Sequence, residues 1–136
     1  MRFQFRLEKV LEYRRSQEDE AKQKFLTLRA SRIRGEAEIS AIGLRRKQML
    51  AHPVKGLTGF TELQMRMIRL DDEERFTRTA LTVMVNEEEA AERAWLLRRQ
   101  ELRSIELLRE KSFAEWSYEQ ERSEQAALDE WAVMRR

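Results

Sequence analysis

The sequence predicts an all-α protein, an antiparallel two-helix coiled-coil hairpin whose second helix is the longer. Three observations carry that expectation. The 136 residues contain 38% charged side chains, four Gly and one Pro, against a charged share of roughly 25% in ordinary globular chains. Apolar residues recur at alternating spacings of three and four in both halves of the chain. The only Pro and two of the four Gly fall together in residues 52–59. So few turn residues exclude a β-sandwich or barrel. Val and Ile are too scarce for the buried strands of a parallel sheet, and with no Cys there is no disulfide scaffold. The length fits one domain, residues 1–136.

Helix 1 is expected over about residues 4–50. Its heptad seam reads Leu7, Leu11, Arg14, Glu18, Ala21, Phe25, Leu28, Arg32, Gly35, Ile39, Ile42, Arg46 and Met49, with eight of these thirteen apolar. Gly35 and Gly43 lie inside it and weaken it by about 1 kcal/mol each relative to Ala. The turn is expected over about residues 51–59, where Pro53 lacks an N–H and drives His52 from helical angles. Helix 2 is expected over about residues 60–133, opened by a capping box of Thr61 with Gln64. Its seam reads Phe60, Leu63, Met67, Leu70, Glu74, Thr77, Leu81, Met84, Glu88, Ala91, Trp95, Arg98, Leu102 and Ile105. A sustained 3–4 pattern of this kind is the signature of a coiled coil.

Folding the arms back on each other gives an expected register in which facing residue numbers add to 109. Leu7 then meets Leu102, Phe25 meets Met84, Leu28 meets Leu81, Ile39 meets Leu70, Ile42 meets Met67 and Met49 meets Phe60. Arg32 would face Thr77, and Arg14 would face Trp95. A slide of one heptad, to a total of 116, leaves four apolar layers instead of six. Charge favours pairing between the arms: residues 1–55 carry 14 basic and 7 acidic side chains, residues 56–136 carry 13 basic and 18 acidic. The net +2 therefore divides into +7 and −5, and arms of opposite sign prefer each other to themselves. The free protein is expected to be a monomer.

The residues point away from catalysis. His52 is the only His, which removes a His-based triad or a two-His metal site, and no Gly-rich phosphate loop occurs. The acidic runs Asp71–Glu74 and Glu87–Glu89 spread around a helix rather than converging. No catalytic, cofactor or metal residue is assigned, and no cofactor is expected. The Arg clusters are flanked by acidic residues or face the acidic arm, so no nucleic-acid partner is expected. No apolar run is long enough to span a bilayer, the first ten residues lack the apolar centre of a signal peptide, and neither direct membrane insertion nor export is expected. The informative residues are apolar side chains off the seam, among them Phe3, Phe5, Leu26, Ile33, Leu44, Met65, Ile68, Phe76, Leu96, Leu97 and Leu107. Together they suggest a rod gripped by partners.

The opening MRFQFRLEKVLEYRRSQEDEA, with Phe3, Phe5 and Leu7 alternating before Glu8, Val10, Leu11 and Arg14, resembles the start of the flagellar FliJ family. Gly56-Leu57-Thr58 followed by Glu62-Leu63-Gln64 and Leu70 is similar to that family's turn into its second helix. The resemblance implies a cytoplasmic, non-enzymatic part of the flagellar type III protein export apparatus, peripheral to its membrane-bound components. It implies a hairpin whose joined ends enter and stimulate the export ATPase hexamer, and which also contacts the export-gate membrane protein and substrate chaperones. On position, Arg2, Phe3, Phe5, Arg6 and Lys9 are the expected contacts with the ATPase ring. Leu44, Met65 and Ile68 are the expected contacts with the gate or a chaperone. An injectisome stalk of the same architecture, and a structural coiled-coil homodimer unrelated to secretion, are the alternatives.

Overall fold

The computed structural model describes residues 2–135. It contains two helices, α1 over Glu8–Ala51 and α2 over Gly56–Met134, and no strand among the described residues. The two helices form a helical hairpin with the second helix longer. Contacts divide it into two units: Ala21–Trp95, which contains the turn, and a terminal unit made of the residues up to Glu20 with those from Leu96 onward.

The start of α1 differs from expectation because residues 2–5 are not helical. Their apolar side chains alternate with period two, the pattern of an extended chain: Phe3, Phe5 and Leu7 are half-buried, while Arg2, Gln4 and Arg6 are exposed. The amide of Glu8 then donates to the Phe5 carbonyl at 3.2 Å and that of Leu11 to Leu7 at 2.9 Å. A carboxylate at Glu8, in the first turn, suits the positive end of the helix dipole.

At its other end α1 tightens, with the His52 amide donating to Met49 at 3.4 Å, and Pro53 prevents continuation. Gly56 takes φ of 72°, a left-handed conformation that favours glycine, and α2 begins there. The capping box expected at Thr61 is therefore replaced: Thr61 lies inside α2 and its hydroxyl donates to the Leu57 carbonyl four residues back, at 3.0 Å.

Within the unit Ala21–Trp95 the core consists of Phe25, Ile42, Leu70 and Ala91, with Thr77 and Gly35 buried among the seam positions. Gly35 faces Leu81 and Met84 so closely that a Cβ would stand 3.1 Å from Leu81 Cδ1 and 3.3 Å from Met84 Sδ. Phe25 stacks on Trp95 with ring centroids 5.4 Å apart and planes 16° apart. Arg32 pairs with Glu88, and Arg46 with Asp71 at 2.8 Å and Glu74 at 2.6 Å.

These contacts correct the expected register by one heptad. Facing numbers add to 116 for Gly35 with Leu81, and to 120 for Phe25 with Trp95 and Arg32 with Glu88, rather than to 109. Leu28 therefore does not face Leu81, Phe25 does not face Met84, and Arg32 goes to Glu88 rather than Thr77. Apolar layers alone do not set the register: the observed one lets Gly35 accommodate two large side chains and gives seam arginines carboxylate partners. The turn makes the slide possible. Val54 Cγ1 lies 3.5 Å from the Cβ position of Gly59, so the turn packs back on the first turn of α2. Phe60, expected on the seam opposite Met49, is 57% exposed, since the observed register places Met49 opposite residues farther along α2. The other α2 seam positions up to Ile105 are buried or half-buried, as are all thirteen of the first seam, from Leu7 to Met49.

In the terminal unit, Leu11 is fully buried. Arg14 bonds Glu101 at 2.8 Å, and Glu8 bonds Arg109 at 3.0 Å. Residues 121–135 are all exposed.

Candidate functional site

Two regions stand out. The first is the extended N-terminal segment on α2. The Phe3 ring meets Phe113 edge-on, centroids 5.2 Å apart at 83°, and lies 5.8 Å from Trp116. The Arg109 guanidinium sits 5.6 Å from the centre of the same ring while its Nε donates to Glu8. Aromatic side chains paired edge-to-face, with a cation on one ring face, hold this segment in place. The expected ring contacts thus separate into two sets: Phe3 packs on α2 and Phe5 is half-buried, whereas Arg2, Arg6 and Lys9 are exposed. Phe113 and Trp116 were missing from the expected contacts, although Trp116 continues the 3–4 spacing of the seam.

The second region is the turn. A groove of about 760 Å³ lies against it, with Met49, Val54 and Leu63 as apolar lining and Arg45, Lys55 and Arg66 as cations. Leu57 is 83% exposed, and Leu50 and Phe60 are exposed as well. Of the expected gate contacts, Leu44, Met65 and Ile68 are all more than half exposed. Met65 and Ile68 share a face of α2. Leu44 ends a second heptad stripe on α1, Leu26, Ala30, Ile33, Ala37, Ser40 and Leu44, whose three large apolar members are exposed. Single-letter hydropathy flagged these residues, and their common spacing is the feature that groups them.

Ion pairs hold the seam between these faces. The hydrogen bond from Arg46, then that from Arg78, keeps the Glu74 carboxyl below the ordinary glutamate range. The Glu88 hydrogen bond, then that of Glu36, raises Arg32, and Glu74 followed by Asp71 raises Arg46. Among the described residues, no group of three or more His, Cys, Asp or Glu is placed to hold a metal ion, and no helix is long and apolar enough to cross a membrane.

No curated protein and no solved structure gives a match to the chain. The family described as "Flagellar FliJ protein" matches residues 3–136. That span takes in the extended Phe-x-Phe-x-Leu opening, both helices and the glycine turn, and with it the chain belongs to the flagellar FliJ family, a family related to flagellar protein export.

Proposed function

We propose that this protein is the stalk of the export ATPase: its terminal unit enters the ATPase hexamer and promotes its activity, and its flank binds the export gate and substrate chaperones. The observation that carries the first part is the fixed N-terminal segment. Phe3 is committed to Phe113 and Trp116, so the segment presents Arg2 and Arg6, joined by Lys9, as exposed cations on a defined backbone. Charges held this way meet acidic loops of a ring without first losing conformational freedom. Phe3 and Phe5 act as positioning residues in this reading.

The flank contact rests on Leu44, Met65 and Ile68, to which the α1 stripe adds Leu26 and Ile33. Exposed apolar side chains at heptad spacing suit a partner helix. The experiment is an ATPase assay with and without this protein. Charge reversal at Arg2, Arg6 and Lys9 should abolish stimulation while circular dichroism stays unchanged. Full stimulation by that triple variant would reject the terminal unit as the ring contact.

A further inference from the structure

The turn combines features that the stalk reading leaves unused. Between Leu44 and Arg69 the sequence has six cations and a single carboxylate, Glu62, a local excess hidden by the overall charge of +2. Arg45 and Arg46 are matched by Glu73, Asp71 and Glu74. Lys47, Lys55, Arg66 and Arg69 have no ion-pair partner among the described residues. The same stretch exposes Leu50, Val54, Leu57 and Phe60.

The arrangement of these side chains selects the occupant. A peptide in the groove would cover Met49, Val54 and Leu63. It would leave out Leu57, which stands two residues from Gly59 and so about half a turn around α2 from the groove. Leu57 is nevertheless the most exposed large apolar side chain of the described residues. Exposed apolar side chains on both sides of the turn, with Lys55 among them and Lys47, Arg66 and Arg69 on the flanking helices, match a medium that surrounds the turn. A bilayer interface does so: its acyl boundary accepts the apolar tips, and its anionic headgroups meet the cations, whose aliphatic stems reach outward. The left-handed Gly56 and the ring of Pro53 fix the turn in shape beforehand.

We propose that the turn docks on an anionic lipid surface, with Val54, Leu57 and Phe60 entering the interface and Lys47, Lys55, Arg66 and Arg69 contacting headgroups. This is shallow docking, not spanning, yet it departs from the expectation of no direct membrane insertion. It does not depend on the ATPase reading, since vesicles alone test it.

The test is flotation of the full chain with vesicles of equal parts phosphatidylcholine and phosphatidylglycerol, beside vesicles of phosphatidylcholine alone. The protein should float with the anionic vesicles, and less so as salt rises. The L57E/F60E variant should lose binding by roughly tenfold or more, and K55E/R66E should weaken it; both change exposed residues, and circular dichroism verifies that they fold. Leu107→Glu, exposed but distant in sequence from the turn, serves as the control and should float like wild type. No flotation of the wild type, equal flotation with neutral vesicles, or unchanged flotation of L57E/F60E would overturn the proposal. The first result together with binding to an acidic protein segment would assign the cations to a protein partner.

Discussion

Gly35 lies against Leu81 with so little space that a single added carbon would stand 3.1 Å from its Cδ1. That close approach identifies the register, and it can be tested directly because the chain has no cysteine. Cysteines at positions 35 and 81 should be joined efficiently by a short bis-maleimide. Cysteines at positions 28 and 81, which would face each other one heptad away, should join poorly. Equal yields measured by peptide mass would reject the observed pairing.

The two glycines inside α1 should respond differently to alanine. A Cβ at Gly43 meets nothing within 4 Å, so Gly43→Ala should stabilise by about 1 kcal/mol through helix propensity. At Gly35 the same gain is opposed by crowding from Leu81 and Met84. Urea unfolding should show a smaller gain for Gly35→Ala than for Gly43→Ala, and Gly35→Leu should destabilise.

Phe25 is 7% exposed and stacked on Trp95. Phe25→Ala should cost about 3 kcal/mol, the usual penalty for emptying a buried aromatic site. The loss should appear as a lower urea midpoint with a changed Trp95 emission in a W116F/W131F background. A loss below about 1 kcal/mol would mean that the neighbouring side chains collapse into the vacated space.

The Glu74 carboxyl is held below its ordinary value of 4.5, chiefly by Arg46 and then by Arg78. A group whose pKa is lower in the folded chain contributes stability above its unfolded pKa. That contribution is lost as pH falls through the folded value. Thermal melts on acidification should therefore show part of the loss coming from Glu74. Glu74→Gln should be less stable than wild type at neutral pH, and the gap should close under acid. A gap that stays constant with pH would assign the effect to packing.

The N-terminal segment should detach locally. Phe3→Ala removes the ring that meets Phe113, Trp116 and Arg109. In a W95F/W131F background, acrylamide quenching of Trp116 should increase while helical circular dichroism stays near wild type. Unchanged quenching would show that Phe5 and Leu7 suffice to hold the segment.

Much of this fold was legible from periodicity. The seam positions, the break near Pro53 and the longer second helix follow from spacing and from the two residue types that end helices. The register was not, because identical heptads permit pairings seven residues apart at little difference in apolar contact. Choosing among them requires knowing that Gly35 accommodates Leu81 and Met84, that Arg46 reaches Asp71 and Glu74, and that Val54 packs on Gly59. The expected start of α1 near residue 4 differs from the observed Glu8, because Phe3, Phe5 and Leu7 alternate with period two, the pattern of an extended chain. The candidate surfaces were legible as residue types, since Leu44, Met65 and Ile68 are exposed. Phe113 and Trp116 escaped notice as a platform because their partner lies more than a hundred residues earlier in the chain.

The hydrogen-bonded pairs across the helices differ widely in the length of chain they enclose. Arg46 to Asp71 spans 25 residues, Arg32 to Glu88 spans 56, and Glu8 to Arg109 spans 101. Closing a longer loop costs more entropy unless shorter ones have closed first. During synthesis the pairs nearest the turn can form while most of α2 is still unmade, whereas Glu8 must wait for Arg109. Assembly is therefore expected to run like a zipper from the turn, with the terminal teeth engaging last and opening first. For a newborn chain this leaves the N-terminal segment unpaired until translation is nearly complete, an interval in which a chaperone or protease can read Phe3 and Phe5 as an open end.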